Sequence, residues 1–175
     1  MATYKSKAYI GGVPFRPTEE GVFTVAQSIL IPNGTALALN DVFKFFKLGA
    51  DVRVLELTLI VDDLDTGSSA ILDVGYSAAV AADVPDFFLD GSTIGQTGGV
   101  ATVTNGGTPA FADGAFNGVG EVIDIEAKLQ VAPAGSPTTD RVLTLVMKAC
   151  SEASAGTYVP YIYADRYSTA GVSSV

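Results

Sequence analysis

Histidine and tryptophan are absent from this 175-residue chain, cysteine occurs once, and ten Lys plus Arg stand against nineteen Asp plus Glu. Each shortage excludes something. Histidine is the commonest general base near neutral pH, so neither a Ser-His-Asp nor a Cys-His nucleophilic arrangement can be built. A zinc site would have to be made from one thiolate and carboxylates, short of the usual ligand sets. Cys150 cannot form an internal disulfide, and its place in the apolar run VLTLVMKAC reads as a buried, inert thiol. A net charge of −9 repels a phosphate backbone, so nucleic acid is not an expected partner. No run approaches the roughly 18 consecutive apolar residues of a membrane-spanning helix, and MATYKSKAYIGG lacks the apolar stretch of a secretory leader. The expectation is a chain made in a cytoplasm, with no membrane partner.

What is present is a core. With 48% hydrophobic and 17% charged residues the chain belongs with packed globular proteins. A chain of this size can bury roughly 70% of its unfolded surface in one domain without staples.

Residues 1–20 hold Gly11, Gly12, Pro14 and Pro17 with no sustained periodicity, and read as an extended arm. Tyr4, Tyr9, Ile10, Val13 and Phe15 make it too apolar for a solvated tail, which predicts an arm that docks. The domain proper is placed at 21–167, with 168–175 as a C-terminal tail.

Through that domain the chain alternates with the period of half-buried strands. In VFTVAQSILI, Phe23, Val25, Ile29 and Ile31 share a face; in VRVLELTLIV, Leu55, Leu57, Leu59 and Val61 do. EVIDIEAKLQV sets Ile123, Ile125, Ala127, Leu129 and Val131 inward against Asp124, Glu126, Lys128 and Gln130. Further strands are expected at 70–76, 100–104, 141–149 and 157–163. The turns Asp65-Thr66-Gly67, Asn105-Gly106-Gly107 and Ala134-Gly135-Ser136-Pro137 separate them. About eight short strands without repeats or heptads predict an all-β sandwich or barrel. One helical turn is expected at Asp83 to Leu89, capped by Asp83 with Pro85 near its start. The stretch 91–120 reads as long loops around one short strand.

The acidic groups offer little chemistry. Asp62, Asp63 and Asp65, or Asp83, Asp86 and Asp90, could supply a carboxylate pair, but a glycosidase also needs an aromatic cleft and tryptophan is missing. Asp63-Leu64-Asp65-Thr66-Gly67 is a fragment of a calcium loop without its third ligand or bidentate Glu, so an acidic hairpin tip is the simpler reading of Asp62 to Gly67. Gly95-Gln96-Thr97-Gly98-Gly99 lacks the lysine of a phosphate loop. Neither an enzyme nor a cofactor is expected.

Aromatics are the remaining signal. Phe43, Phe45 and Phe46 cannot all enter one core from a regular strand, so either Phe46 faces a neighbouring chain or the strand is bulged. Tyr158, Tyr161, Tyr163 and Tyr167 cluster near the C-terminus, either as interface tyrosines or as strand-edge residues. The residues expected to contact other chains are Tyr4, Lys5, Lys7, Tyr9, Ile10, Phe15, Arg16, Phe46, Phe87, Phe88, Tyr161, Tyr163 and Tyr167.

The segments NDVFKFFKLGADVRVLELTLIVDDLDTGSSAILDVGY and DVPDFFLDGSTIGQTGG resemble small structural proteins that tailed bacteriophages encode near the major capsid gene. A lysine-flanked aromatic strand, a V-x-V-L-x-L-x-L strand, an aspartate turn, LDVGY and DGSTIGQ carry the likeness over about a third of the chain. The resemblance implies a head decoration or cement protein: a jelly-roll-like antiparallel β-sandwich, often trimeric, on the capsid exterior. The mechanism expected to follow is docking on the major capsid protein at capsomer junctions through apolar loops and the 1–20 arm. It brings no catalytic residues. The alternatives are a receptor- or glycan-binding module of a head fibre or tail, and a single jelly-roll capsid subunit.

Overall fold

Nine strands form among the residues described by the computed structural model, which are 1–12, 22–49, 52–79, 82–104 and 122–151. They are β1 (Thr3–Lys5), β2 (Val22–Ile31), β3 (Val42–Leu48), β4 (Val52–Val61), β5 (Ile71–Ala78), β6 (Val84–Ser92), β7 (Gly99–Thr104), β8 (Ile123–Val131) and β9 (Arg141–Ser151). A short helix, α1 (Lys7–Ile10), follows β1, and a 3-10 turn (Ile94–Gln96) precedes β7.

The pairing behaves as one long hairpin rolled upon itself. β2 pairs with β9, β3 with β8, β4 with β7 and β5 with β6, all antiparallel. Rolling then sets β9 beside β4 and β8 beside β5. The resulting sheets, β2-β9-β4-β7 and β1-β3-β8-β5-β6, are the two layers of a jelly roll, with β1 added in parallel to the edge of the second. The expected antiparallel sandwich is therefore present.

Both layers send alternate side chains into a shared core. Ile29, Ile31, Leu57, Leu59, Leu143, Leu145 and Met147 enter from one sheet, and Phe43, Phe45, Phe46, Leu72, Ile123, Ile125 and Leu129 from the other. Burying each such side chain contributes about 1.5–3 kcal/mol relative to exposure.

Register shifts in β3, β4 and β8, besides two in the β5–β6 pairing, break the simple alternation. In β3 the register passes from Lys44 opposite Glu126 to Phe46 opposite Ile125, so Phe45 is the extra residue and all three phenylalanines are buried. In β4 Leu55 is extra, so Val52 and Val54 share the core with Leu57, Leu59 and Val61, while Leu55 is buried outside that cluster. Near the end of β8, Leu72 opposes Leu129 and Ile71 opposes Val131, so Gln130 is skipped and Val131, expected inward, is 37% exposed.

The helix expected at Asp83 to Leu89 is overturned, because Val84 to Leu89 belong to β6 and Asp83 immediately precedes it. Proline is tolerated there since β6 is the outermost of the described strands of its sheet, where a strand needs no donor on the side away from β5. Asp83, the supposed cap, instead accepts the Ala78 backbone N–H across the β5–β6 connection (3.1 Å). The strand expected at 157–163, the Asn105 turn, the tail 168–175 and the Cys150 side chain lie outside the described residues.

Candidate interaction surfaces

The first twelve residues fasten onto their own sandwich. Ser6 is fully buried: its backbone N–H donates to the Lys44 carbonyl (3.0 Å), its Oγ donates to the Phe45 carbonyl (2.6 Å), and the same oxygen accepts the Tyr9 N–H to cap α1 (3.1 Å). Asp41, also buried, accepts the backbone N–H groups of Ala2 and Ala38 and lies 3.9 Å from the terminal ammonium. The Tyr4 ring stacks on Phe43 with centroids 5.2 Å apart. These contacts turn part of the expected arm into an edge strand and a helical turn.

The clasp continues into a polar network on the outer face of β3, β8 and β5. Tyr9 Oη donates to Asp124 Oδ2 (2.8 Å), and Lys44 Nζ donates to the same oxygen (2.8 Å) and to Ser77 Oγ (3.1 Å). Ser77 Oγ donates to Glu126 Oε2 (2.8 Å), which lies 3.3 Å from Lys44 Nζ. Glu126, expected to face water, is buried on this outer face because Lys44 and Ser77 close over it. Burial alone would lower the Lys44 ammonium, but the hydrogen bond to Asp124 and the field of Glu126 outweigh it and hold the group above its ordinary value. Burial and the Asp124 carboxylate raise the Tyr9 phenol. Lys5, Lys44 and Lys47 surround the Tyr9 ring, each within 5.1–5.6 Å of its centroid.

Across the same sheet the charge changes sign. Asp73 on β5 is buried, with Asp86 and Asp90 of β6 nearby. Burial raises its pKa, Asp90 and Asp86 add to the rise, and the hydrogen bond from Gly91 N–H (2.9 Å) opposes it.

The outer face of the other sheet is different in kind. Its rows, read from the strand register, are Ala26, Val146, Thr58 and Thr102, then Ser28, Thr144, Ile60 and Val100, then Leu30 and Val142. None of these ten side chains is charged, and the hydroxyls pair among themselves, Ser28 with Thr144 (2.8 Å) and Thr58 with Thr102 (3.0 Å). Leu30 and Val100 are 57% and 61% exposed. Charge bounds this block at both ends: Asp62 stands beside Val142, exposed, and accepts its backbone N–H (2.8 Å), and Lys148 and Glu56 lie one row beyond Val146 and Thr58.

Two buried ionic groups tie the connections together at one end of the sandwich. Asp65 accepts from Gly67, Ala134 and Gly135 N–H on Oδ1, and from Ser69 N–H, Ser69 Oγ and Ala70 N–H on Oδ2. Burial alone would raise this carboxyl, but the Ser69, Gly67 and Ala70 donors outweigh it and hold the group well below the usual carboxylate range. Both oxygens are thus engaged by protein donors rather than turned outward as cation ligands. Arg141 is buried with its guanidinium on the carbonyls of Thr35 (2.6 Å) and Leu64 (3.5 Å), and its Nε has no partner among the described residues. Burial lowers its pKa. No group of three His, Cys, Asp or Glu side chains among the described residues is placed to hold a metal ion.

The fold has counterparts among solved capsid structures. A chain in the capsid of Ralstonia phage GP4 superposes with a TM-score of 0.63 at 24% identity, covering 88% of this chain and 100% of that one. A chain in the capsid asymmetric unit of cyanophage Pam1 superposes with a TM-score of 0.52 at 18% identity, over 79% of this chain and 91% of that one. At these identities the likeness is one of fold. No protein-family profile matches the chain, and no curated protein matches it.

The residues expected at interfaces fall into three groups. Lys5 and Lys7 are exposed, Ile10 is 69% exposed, and Tyr4 and Tyr9 are held in the clasp with part of their surface open. Phe46 and Phe88 must be withdrawn as contact residues, since both are buried in the core; the β3 bulge turns Phe46 inward, and Phe87 packs edge-on against Phe88 (4.9 Å). Phe15, Arg16, Tyr161, Tyr163 and Tyr167 lie outside the described residues. Sequence reading missed the uncharged face, although its signal was available: the outward positions of VFTVAQSILI are Thr24, Ala26, Ser28 and Leu30. Ser6 and Asp65 carried no comparable signal, because their roles depend on partners 39 and up to 70 positions away.

Proposed function

We propose that the chain is a non-enzymatic virion structural protein that docks on the outside of a bacteriophage head and stabilises it as a decoration or cement protein. One observation carries the reading: a jelly roll that matches capsid-structure chains presents a block of ten uncharged side chains on one sheet face, with Asp62, Lys148 and Glu56 only at its ends, although the molecule has nineteen acidic and ten basic residues. Side chains such as Leu30, Ile60 and Val100 can be removed from water while Asp62 stays at the rim, the apolar-centre and polar-rim arrangement of a protein-facing surface.

The size of that face bears on its partner. Four strands about 4.8 Å apart and about five residues of about 3.3 Å each give a patch of roughly 300 Å². A stable pairwise interface needs about 800 Å² per partner, so this face alone suits a partner met many times at once. A capsid lattice is such a partner, and binding to the assembled shell but not its dissociated subunits stabilises the shell by mass action. In this reading the major capsid protein is the surface beneath, copies of the chain meet at capsomer junctions as trimers, and the charged sheet faces solvent.

Cryo-electron microscopy of particles of the encoding phage, with copy number from quantitative mass spectrometry, tests the proposal. Density over the whole head is expected, and Ile60→Asp with Val100→Asp is expected to lower occupancy. A few copies at one vertex would instead identify a fibre or tail module. Closed shells formed by the purified chain alone would identify a capsid subunit.

A further inference from the structure

The five-stranded sheet runs from a basic edge to an acidic one. Lys5 and Lys7 sit on β1 and α1 at one side, and Lys47 joins them around the Tyr9 ring. None of the three has an acidic partner among the described residues. The middle of the sheet is compensated: Lys44 is held by Asp124 and Glu126, and Lys128 stands opposite Asp73. Four strand spacings away, about 19 Å, β6 carries exposed Asp86 and Asp90. Uncompensated charge is therefore concentrated at opposite edges with opposite sign.

Among the described residues both edges also carry strands that are paired on one side only, β1 with β3 and β6 with β5. Unpaired strand edges favour association, and charge decides which edge meets which. Two basic edges repel, and so do two acidic ones, so a symmetric contact through either edge is disfavoured. A basic edge against an acidic edge is attractive at contact distance, inside the screening length of about 8 Å at physiological salt, where the net −9 of each molecule acts more weakly. Ile10, 69% exposed beside Lys7, adds an apolar anchor to the basic side.

We propose that copies of this chain associate head to tail, the β1–α1 edge of one against the β6 edge of the next, a heterologous contact that generates a ring where the rotation closes. The proposal rests on the preceding reading for the presence of neighbouring copies and names the surface through which they touch.

Sedimentation velocity on the isolated full-length chain tests it. The wild type is expected to associate at about 0.15 M salt and to dissociate at about 1 M, where the screening length falls to about 3 Å. Lys5→Glu with Lys7→Glu leaves two acidic edges, and Asp86→Lys with Asp90→Lys leaves two basic ones. Each double variant alone is expected to associate at least about tenfold more weakly than wild type. An equimolar mixture of the two is expected to recover association, which also shows that both have folded. A wild type that stays monomeric, single variants that associate as wild type does, or a mixture that remains dissociated would each overturn the proposal. Head occupancy is read on particles, so a negative result here leaves that separate question standing.

Discussion

Replacing Asp65 by Asn exchanges one carboxylate oxygen for an NH2 group and leaves the side-chain shape almost unchanged, so a loss of stability reports hydrogen bonding rather than packing. Asp65 receives six donors, three on each oxygen. If the Asn oxygen keeps Gly67, Ala134 and Gly135, its NH2 faces the N–H groups of Ser69 and Ala70. The Ser69 hydroxyl can fall back on the Ala132 carbonyl, 3.0 Å away, but the two backbone donors have no such alternative among the described residues. Stranding each buried donor costs about 1–3 kcal/mol, so Asp65→Asn is expected to lose about 3–5 kcal/mol, nearly as much as Asp65→Ala. In urea, with a slope of about 2 kcal/mol per molar, a loss of 3 kcal/mol moves the midpoint by about 1.5 M. The carboxyl of the folded state is held below its ordinary value, so its contribution is complete above the unfolded value near about 3.9 and is lost as pH falls toward the folded one. The Asn deficit should hold constant from pH 7 to about 5, then narrow by about 1.4 kcal/mol per pH unit below about 4. An Asn variant within about 0.5 kcal/mol of wild type at neutral pH, or a deficit unaffected by acid, would refute the reasoning.

Other substitutions have different signs and sizes. Asp73→Asn is expected to be neutral or to stabilise by up to about 1 kcal/mol at pH 7, since burial and the fields of Asp90 and Asp86 disfavour its charged form while the Asn oxygen can still accept from Gly91; the gain disappears as pH falls through the raised folded pKa, and urea titrations at pH 7 and 4 check it. Gly75→Ala is expected to cost about 1–3 kcal/mol or to dislodge β6, because a Cβ there would lie 2.0 Å from the Val84 carbonyl; thermal unfolding and amide exchange along β6 report it. Phe46→Ala is expected to lose about 3–5 kcal/mol in the isolated chain, whereas a partner-facing Phe46 would show no change in that assay.

The candidate surfaces were legible only in part. Lys5, Lys7 and Ile10 could be marked as available because charge and terminal position make exposure the default. Phe46 and Phe88 could not be placed, since a phenylalanine in a strand points to core or partner according to a phase that one bulge reverses. The opposition of a basic and an acidic edge was hidden for a further reason. Lys5 and Asp90 lie far apart in sequence and share one sheet only after β1 joins β3 and β6 joins β5.

The sequence by itself determined the layer class and most strand positions, because period-two alternation depends on neighbours two residues apart and survives any arrangement of the strands. It also determined which chemistries are excluded, since a chain without histidine lacks that base in every fold. Tertiary structure decided the rest. Asp83 and Pro85 are a capping aspartate and an early proline, signals that locally suit a helical turn, yet Val84–Ser92 became a strand because β5 offered an edge. Asp65 became a staple rather than a solvated tip because the β8–β9 connection brought two N–H donors to it from about seventy residues away. Local patterns specify what a segment can be, whereas pairing energy between distant segments selects among those options.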